Sequence, residues 1–447
     1  MTFPSYPVYK DSGVEWQGAV PAEWPRSALK FLADYQNGYP FKPEDWGEEG
    51  LPIIRISQLT GDTAPNYYSG ELDFRVKVGD GDLLFSWSAT IDSFIWTGGA
   101  AWLNQHIFKV SPTVEADQKF LFYLIKLVAP KLADFDAHGS TMRHIKKESL
   151  SERLHVPTLV EQTQIARFLD HETARIDALI EEQQRLIELL KEKRQAVISH
   201  AVTKGLDPTA PMKDSGVEWL GEVPAHWVVR RIKHLTEVIS KGTTPTTIGE
   251  DFQDEGVRFL KAENIFGGRV LPDPEFFISE RAHAALARSA LAENDVLVVI
   301  AGATTGKSAV LSGDLLPANT NQAVSFIRLR DTRLSEFIQC WLSTDAVQRS
   351  ISLNSVQSAQ PNLSMEDLGE IPVPLPPLDE IDLITDQMAT QISIFDGLIS
   401  EAVNASGLLQ ERRSALISAA VTGKIDVRGW QPPASTQAPE LAVAEAN

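Results

Sequence analysis

The strongest constraint on the fold of this 447-residue chain is that it repeats itself. The stretch at 10–24 reads KDSGVEWQGAVPAEW and returns at 213–227 as KDSGVEWLGEVPAHW, with twelve of fifteen positions identical. Further along, KRQAVISHAVTKGLD at 193–207 returns as RRSALISAAVTGKID at 412–426. The offset grows from 203 to 219, so the second copy carries about sixteen extra residues between these markers. The chain is therefore two copies of one structural plan.

Each copy begins with a segment that is typical of a globular domain. Short β-branched and aromatic runs, bounded by Gly, Pro, Asn and Asp, predict strands and turns. Three pairs of such runs can be matched between the copies: 51–59 with 257–265, 81–90 with 294–303, and 103–110 with 320–329. A helix-like segment follows in both copies, DQKFLFYLIKLV in the first and RLSEFIQCWLST in the second. We expect a mixed α/β domain of about 150 residues in each copy.

The remainder of each copy predicts one long helix. No Gly or Pro occurs between Glu161 and Val202, and a proline-rich lead precedes the helix in both copies. Apolar residues follow a heptad register in both helices: Leu169, Ile176, Leu179, Leu186, Leu190 and Val197 in the first, and Met388, Phe395, Leu398, Ala402, Ala405, Leu409 and Leu416 in the second. Because such a stripe needs a partner, we predict that the two helices pack together.

These observations predict an α+β fold with an internal pseudo-two-fold repeat. Two mixed α/β domains are joined by two long helices that pack as an antiparallel coiled coil. The predicted boundaries are a repeat segment at 1–25, a first globular domain at 26–157, a central long helix at 158–205, a second repeat segment at 206–228, a second globular domain at 229–375, a C-terminal long helix at 376–426 and a disordered tail at 427–447.

Composition narrows the class of protein. Cys340 is the single cysteine, which excludes a disulfide within the chain and leads us to expect a reducing cytoplasm. We find no apolar leader in the sequence and expect no membrane partner. The formal net charge of −19 argues against indiscriminate binding of polyanions. It leaves open a protein that reads DNA while a partner supplies much of the positive charge.

One stretch suggests a nucleotide site. Residues 299–310 read VIAGATTGKSAV, and from Ala301 to Ser308 they match a loose P-loop pattern. A P-loop needs a helix directly after it, but Gly313 and Pro317 would break a helix here, and the first copy has no Gly-Lys-Ser. We therefore interpret the stretch as strand–turn–strand, with a P-loop NTPase as the alternative. We predict no catalytic, cofactor-binding or metal-binding residues.

The order and doubling of these motifs resemble the specificity subunit of a Type I restriction–modification system. The resemblance covers roughly residues 8 to 430, from KDSGVEW through GATTGKS and PPLDE to SALISAAVTGKID. It implies two target recognition domains, each reading one half of a bipartite target in double-stranded DNA. It also implies a helical spacer that sets the separation of the halves, and a chain that is itself non-catalytic. A coiled-coil adaptor that does not bind DNA is a further alternative, but it leaves two divergent, loop-rich domains unexplained.

The resemblance also implies partners and cofactors. The spacer would dock two adenine-N6 methyltransferase subunits, which carry S-adenosylmethionine, and motor–nuclease subunits would carry ATP and Mg²⁺; this chain would bind none of them. Both a complex with two restriction subunits and a solitary modification enzyme remain open. An acidic helical face is either a docking surface or merely solvated: Glu181, Glu182, Glu188 and Glu192.

Candidate DNA-reading residues are polar side chains on loops at matching places in the two copies, since base edges require paired donors and acceptors. In the first domain they are Lys42, Arg55, Gln58, Ser86, Ser88, Asn104, Gln105, His106, Arg143 and His144. In the second domain they are Lys241, Thr243, Thr244, Lys261, Asn264, Thr304, Thr305, Lys307, Asn321, Gln322, Gln360 and Asn362. For each, a turn-forming or strand-capping role is the alternative. Four tryptophans are predicted to anchor the repeat segments by packing: Trp16, Trp24, Trp219 and Trp227.

Overall fold

The chain folds into two compact units. The structure, a computed structural model, describes residues 3–61, 63–136, 143–355 and 362–433. Unit 1 takes residues up to 183 together with those from 404 onward, and unit 2 takes residues 184–403. Each unit therefore contains one globular domain, the first part of the long helix that follows it, and the last part of the other long helix.

The strands and helices of the first copy run in the order that the repeated motifs predict. They are β1 (Tyr9–Asp11), β2 (Ala19–Pro21), β3 (Arg26–Ala28), α1 (Leu29–Leu32), β4 (Ala33–Asn37), β5 (Leu51–Ile54), α2 (Ile56–Thr60), β6 (Asn66–Tyr68), β7 (Lys77–Val78), β8 (Leu83–Ser86), β9 (Asp92–Ile95), β10 (Ala101–Leu103), β11 (Ile107–Pro112), α3 (Gln118–Asp136), β12 (Arg153–His155) and α4 (Leu159–Lys204).

The strands and helices of the second copy follow a similar order, with 3₁₀ turns at Ile232–His234 and Ala262–Asn264 where the first copy has α1 and α2, and with additional elements. They are β13 (Met212–Asp214), β14 (Glu222–Pro224), β15 (Val228–Arg231), β16 (Thr236–Lys241), β17 (Val257–Leu260), β18 (Ile265–Phe266), β19 (Gly268–Val270), β20 (Phe277–Ile278), α5 (Glu280–Ala285), β21 (Val296–Val299), β22 (Ser308–Val310), β23 (Ala318–Thr320), β24 (Val324–Leu329), α6 (Ser335–Leu342), α7 (Asp345–Ser355), α8 (Met365–Glu370), β25 (Pro372–Leu375) and α9 (Leu378–Val421).

The main sheet of unit 1 is antiparallel, in the order β4-β11-β8-β9. Strand β8 is buried on both faces: Leu83 and Phe85 join the large core beneath α3, and Leu84 joins a second cluster with Ile54 and Ile107. A strand that is buried on both sides has an uninterrupted apolar run, which explains the sequence LLF. A second sheet, β6-β5-β10-β7, pairs β5 with β10 in parallel.

Unit 2 repeats this arrangement with a larger sheet, β16-β24-β21-β22-β19-β18. Strand β21 is also buried on both faces, with Val296 and Val298 in one cluster and Leu297 and Val299 in another. Strand β17 pairs in parallel with β23, as β5 does with β10. The β18–β19 hairpin extends the sheet beyond its counterpart in unit 1 and lies in the part of the second copy that carries extra residues.

The repeat segments form matching hairpins, β1–β2 in unit 1 and β13–β14 in unit 2. In each hairpin a lysine ammonium donates to a tryptophan carbonyl 14 residues later, Lys10 to Trp24 and Lys213 to Trp227, both at 2.6 Å. The two tryptophans are 1 % and 0 % exposed, so their prediction as packing anchors is confirmed.

Each buried tryptophan fixes its hairpin to the start of a long helix. The indole N–H of Trp24 donates to Glu161 at 3.1 Å, and that of Trp227 donates to Glu380 at 3.1 Å. The Tyr6 hydroxyl also donates to Glu161, and burial beside this carboxylate raises the pKa of Tyr6. The same hydrogen bond, from a tryptophan indole to a glutamate, therefore joins the hairpin to the start of the long helix in both copies.

The other two tryptophans of the repeat segments also pack. Trp16 lies against the core of unit 1. Trp219 stacks on Trp341, with ring centroids 5.9 Å apart and planes 17° from parallel. Trp219 nevertheless keeps 39 % of its surface exposed, so it packs at the edge of the core.

The long helices run antiparallel in each unit. In unit 1, Arg413 of α9 lies 2.7 Å from Asp177 of α4, and in unit 2, Arg194 of α4 lies 3.0 Å from Asp396 of α9. Within unit 1, Ile417, Ala420 and Val421 of α9 share a core with Ile165, Phe168 and Leu169 of α4. The predicted antiparallel packing is confirmed.

Part of the predicted heptad stripe is exposed rather than buried. Leu169 and Ile176 are buried, but Leu179 and Leu186 of α4 are 37 % and 42 % exposed, and Leu398 of α9 is 44 % exposed. A two-helix pair covers a narrow seam on each helix, so residues at its margin keep solvent-facing surface.

One described helix, α9, is long and apolar enough by length and composition alone to cross a membrane, with a mean hydropathy of 1.2 in its most apolar window. An amphipathic helix of a coiled coil passes the same test. In unit 2, α9 contributes Ile381, Ile384 and Met388 to the core, as that second role requires.

The segment predicted as a disordered tail begins with packed residues. Val427 is buried, the Gln164 amide donates to the Trp430 carbonyl at 2.6 Å, and the Trp430 ring lies 5.3 Å from Phe168, all within unit 1. Residues 434–447 lie outside the described residues.

Candidate nucleic-acid interface

In unit 1 the chain leaves β4 through Gly38 and crosses over the turn between β10 and β11. The Tyr39 amide donates to the Leu103 carbonyl at 2.7 Å, and the Gln105 amide donates to the Tyr39 carbonyl at 3.0 Å. A Cβ on Gly38 would lie 2.2 Å from the Leu103 oxygen and 2.3 Å from that of Asn104. The close backbone approach therefore requires glycine and holds residues 104–106 at the end of the sheet.

Unit 2 has the same crossing. The Thr243 amide donates to the Thr320 carbonyl at 3.0 Å, and a Cβ on Gly242 would lie 1.8 Å from that oxygen. Residues 321–323 form the turn between β23 and β24. The two units thus hold corresponding turns with corresponding backbone contacts; the first two turn residues are Asn and Gln in both, and the third is His106 in unit 1 and Ala323 in unit 2.

A second loop joins this end of each sheet. In unit 1 the Ile145 amide donates to the Trp87 carbonyl at 2.9 Å, and Ser88 forms an isolated bridge with His144. In unit 2 the Leu363 amide donates to the Ile300 carbonyl at 2.8 Å, and Ala301 forms an isolated bridge with Asn362. The turns that follow β8 and β21 are therefore held in the same way, directly beside the first pair of turns.

We call this end of each main sheet the turn end; it carries the turns at 104–106 and 87–91 in unit 1 and those at 321–323 and 300–307 in unit 2. The structure brings most of the predicted residues to the turn ends. In unit 1 they are Arg55, Ser88, Asn104, Gln105, His106 and His144. In unit 2 they are Lys241, Thr243, Thr244, Lys261, Thr304, Thr305, Lys307, Asn321, Gln322 and Asn362. Lys42 is exposed at the start of a 3₁₀ turn, where its amide donates to Asp45 at 2.8 Å. Gln360 lies outside the described residues.

Two predicted residues lie in the interior and not on the surface. Ser86 is 0 % exposed, and its hydroxyl donates to the Thr90 carbonyl. Asn264 is 1 % exposed; its amide nitrogen donates to the carbonyls of Leu271 and Pro274 at 3.0 and 2.9 Å. Both side chains satisfy backbone groups inside the domain, so neither presents a free edge to a DNA groove.

Other predicted residues have local structural roles as well. Gln58 accepts the Arg55 amide at 3.0 Å, which caps α2. The side chains of Asn104 and Asn321 accept the amide two residues later, at 3.4 and 3.1 Å, and shape their turns. Arg143 is exposed, and its guanidinium forms an ion pair with an exposed aspartate, Asp134.

The nucleotide-binding alternative for 301–308 fails on geometry. Strands β21 and β22 form an antiparallel hairpin, and no helix begins at Ser308. The amides of Thr305, Gly306 and Lys307 donate to carbonyls of the same hairpin at 3.1, 2.8 and 3.1 Å. A phosphate cradle needs such amides unpaired and facing the ligand, so the hairpin is not a P-loop.

Sequence reasoning missed the aromatic residues of this surface. In unit 1 the Trp87 indole donates to Asn37 at 3.2 Å, and its ring lies 5.3 Å from that of His106. In unit 2, Phe266 is 64 % exposed at the tip of the β18–β19 hairpin, 5.7 Å from the Lys307 ammonium. The available signal was an aromatic residue inside or beside a turn. Trp87 also packs against the core of unit 1, whereas core packing does not account for the largely exposed Phe266.

Comparison with known proteins agrees with this architecture. A family model described as the Type I restriction modification DNA specificity domain matches the chain twice, over residues 21–190 and 224–405. The EcoBI specificity subunit of a Type I restriction enzyme from Escherichia coli is 26 % identical, over 91 % of this chain and 87 % of its own. The MjaVIII specificity subunit from Methanocaldococcus jannaschii is 24 % identical, over 92 % and 94 %.

Two solved structures share the fold. A chain from a structural study of assembly and conformational transition in the type I R-M system superposes with a TM-score of 0.64 at 17 % identity, covering 90 % of this chain and 98 % of the other. The HsdS subunit from Thermoanaerobacter tengcongensis gives a TM-score of 0.51 at 16 % identity, covering 91 % and 98 %.

Proposed function

This chain belongs to the Type I restriction modification DNA specificity family, and from this premise we propose that its two turn ends are the surfaces that read DNA. The chain is a DNA specificity subunit, a recognition component without catalysis of its own. Each globular domain, which carries one copy of the family domain, reads one half of a bipartite target. The turn end of the main sheet in each unit supplies the side chains for this.

The observation that carries the proposal is that the two units share the backbone contacts that hold their turns but differ in side chains on those turns. Gly38 and Gly242 make the same close crossing in the two units. The turns that this crossing holds share Asn and Gln at their first two positions and differ at the third, His106 in unit 1 and Ala323 in unit 2. The neighbouring turns after β8 and β21, at 87–91 and 300–307, differ in both length and side chains. Base edges are read by individual side chains, so two domains that read different half-sites need this combination.

The long helices are proposed to dock two methyltransferase subunits. Apolar side chains on their surfaces are more than a third exposed: Leu179 and Leu408 in unit 1, and Leu186, Leu189, Leu383, Ile394, Leu398 and Val403 in unit 2. This number of exposed apolar side chains on the long helices supports a protein–protein contact there, because exposed apolar patches often mark such contacts. S-adenosylmethionine, ATP and Mg²⁺ are proposed to reside on the partner subunits, and restriction subunits would join where the system cleaves DNA.

A methylation map tests the DNA-reading proposal. DNA from cells that express this chain with the methyltransferase of its system should carry methylated adenine in both halves of one split motif. Replacing Thr304 and Thr305 by alanine should change the sequence requirement in one half. Replacing His106 by alanine should change the other half. The proposal fails if methylation is the same with and without the chain.

A further inference from the structure

In each unit a cation lies against an exposed aromatic ring at the turn end. The Arg55 guanidinium is 5.2 Å from the Trp46 ring, and the Lys261 ammonium is 4.7 Å from the Phe252 ring. In both units the aromatic residue precedes the cation by nine positions, and it is 42 % exposed in unit 1 and 38 % exposed in unit 2. Lys261 has a second ring, that of Phe276, at 3.3 Å.

The backbone around the two cations is the same. The Arg55 amide donates to the side chain three residues later, that of Gln58, at 3.0 Å; the Lys261 amide donates to Asn264 at 2.9 Å. Arg55 directly follows β5, which runs parallel to β10, the strand that precedes the turn at 104–106. Lys261 likewise follows β17, which runs parallel to β23, the strand that precedes the turn at 321–323. The pairing of β5 with β10 places Arg55 next to Asn104, whose amide donates to the carbonyl just before Arg55 at 3.0 Å.

Neither cation is neutralised within the part of the chain that the structure describes. Neither side chain forms an ion pair there, and the buried Nε of Arg55 has no hydrogen-bond partner among those residues. In a chain with 60 acidic and 41 basic residues, most cations can find a carboxylate. An aromatic face holds a cation in place without cancelling its charge, so the charge is available to an external anion.

Features that the two units share and features in which they differ indicate what Arg55 and Lys261 do. Contacts to DNA phosphates position a protein and carry no sequence information, whereas contacts to base edges specify. Two domains that read different half-sites therefore share their phosphate contacts and differ at their base contacts. The cation is shared between the units, although it is Arg in one and Lys in the other. The neighbouring turns at 87–91 and 300–307 differ in length and composition.

We propose that Arg55 and Lys261 are equivalent phosphate contacts, one for each half-site, and that base readout lies in the divergent turns beside them. The inference rests on the DNA-reading function proposed above and assigns roles within it. A phosphate can pair with the positive charge of either Arg or Lys. Guanine readout by Arg depends on the planar guanidinium fork, which Lys lacks. Exchange of the two residue types therefore separates the roles.

The experiment uses the complex of this chain with its methyltransferase, a duplex that contains the split target, and a scrambled duplex of equal composition. The dissociation constant is measured between 50 and 200 mM salt. For Arg55→Gln and for Lys261→Gln, the slope of log affinity against log salt should fall by about 0.9. Both duplexes should lose affinity by the same factor, so the specificity ratio is unchanged.

The exchanges Arg55→Lys and Lys261→Arg keep the positive charge, so they should keep the salt slope and the specificity ratio of the parent. The matched control is Lys30→Gln, because the Lys30 ammonium also lies over a ring, that of Phe31 at 4.9 Å, but precedes β4 at the opposite end of the sheet. Its slope should not change. The role assignment is overturned if an exchange alters the specificity ratio or the methylated motif, or if the glutamine variants keep the parent slope. Failure of the DNA-reading function would show differently, as a parent complex that prefers no split target.

Discussion

Replacing Gly242 by alanine should unsettle one half of the DNA-reading surface. A Cβ there would lie 1.8 Å from the Thr320 carbonyl oxygen and 2.5 Å from that of Asn321. Both neighbours are backbone atoms, so no side chain can rotate away. The backbones must separate by more than about 1 Å to reach ordinary contact, which strains the hydrogen bonds from Gly242 to Val324 at 3.2 Å and from Thr243 to Thr320 at 3.0 Å.

The magnitude follows from these contacts. Overpacking a close contact costs about 1–3 kcal/mol, and each weakened hydrogen bond costs about 0.5–1.5 kcal/mol net. With two hydrogen bonds affected, the free energy of unfolding of unit 2 should therefore fall by about 2–6 kcal/mol. A domain is stable by about 5–15 kcal/mol, so the variant folds but its turn end is displaced.

Urea unfolding followed by tryptophan fluorescence measures the loss, fitted with separate transitions for the two units. The matched control is Gly397→Ala in α9, where an added Cβ meets no atom within 4 Å; alanine should stabilise this helix by up to about 1 kcal/mol. In the methylation map, Gly242→Ala should relax one half of the motif and Gly38→Ala the other. An unfolding free energy within about 0.5 kcal/mol of the parent, together with an unchanged motif, would refute the reasoning.

Three further predictions concern buried groups. Asp295→Ala removes a carboxylate that is 1 % exposed and that binds the Arg328 guanidinium at 2.9 and 2.7 Å; urea unfolding should show a loss of about 2–4 kcal/mol. Glu161→Ala leaves a buried indole N–H and a buried hydroxyl without their acceptor and should cost about 2–4 kcal/mol, whereas Glu182→Ala, exposed on the same helix, should stay within about 0.5 kcal/mol. Burial raises the pKa of Cys340 to about 12, so at pH 9 mass spectrometry should find iodoacetamide labelling about a thousandfold slower in the folded than in the unfolded chain. Because an unfolded thiol ionises near pH 8.5, this residue should also make the fold less stable as pH rises from about 8.5 towards 12, and equal labelling rates would contradict the burial.

Most of the fold could be predicted from the sequence, because most elements are encoded twice and the two matching segments support one another. A strand predicted from LLF in the first copy was supported by VLVV at the matching place in the second, and both segments are strands buried on both faces. The heptad stripe predicted the helix pair for a similar reason, since a periodic apolar face needs a partner. The exposed margin of that stripe, at Leu179 and Leu186, was not predictable, because the width of a helix contact depends on tertiary packing.

The candidate site was predictable as a place and less so as a set of residues. Matching polar residues located the turn end, but Ser86 and Asn264 are drawn inside to satisfy backbone groups. Whether a polar side chain beside a strand end faces inward depends on the loop that covers it, which local sequence does not determine. The contact between Arg55 and Trp46 was missed for the same reason, because it forms across a loop.

In the stretch at 301–308, the hydrogen bonds of the backbone amides decide whether the Gly-Lys-Ser motif is a phosphate-binding loop or a hairpin. A Gly-Lys-Ser sequence can cradle phosphate only if its amides are unpaired, and here those of Gly306 and Lys307 are used within the hairpin. What the hairpin presents outward is its side chains, among them the exposed Lys307 beside Phe266. Side chains can differ between two copies without disturbing the frame, whereas a backbone cradle cannot. A hairpin that is free to vary at its tip is therefore suited to reading a sequence, and the difference from its counterpart in unit 1 is what a two-part target requires.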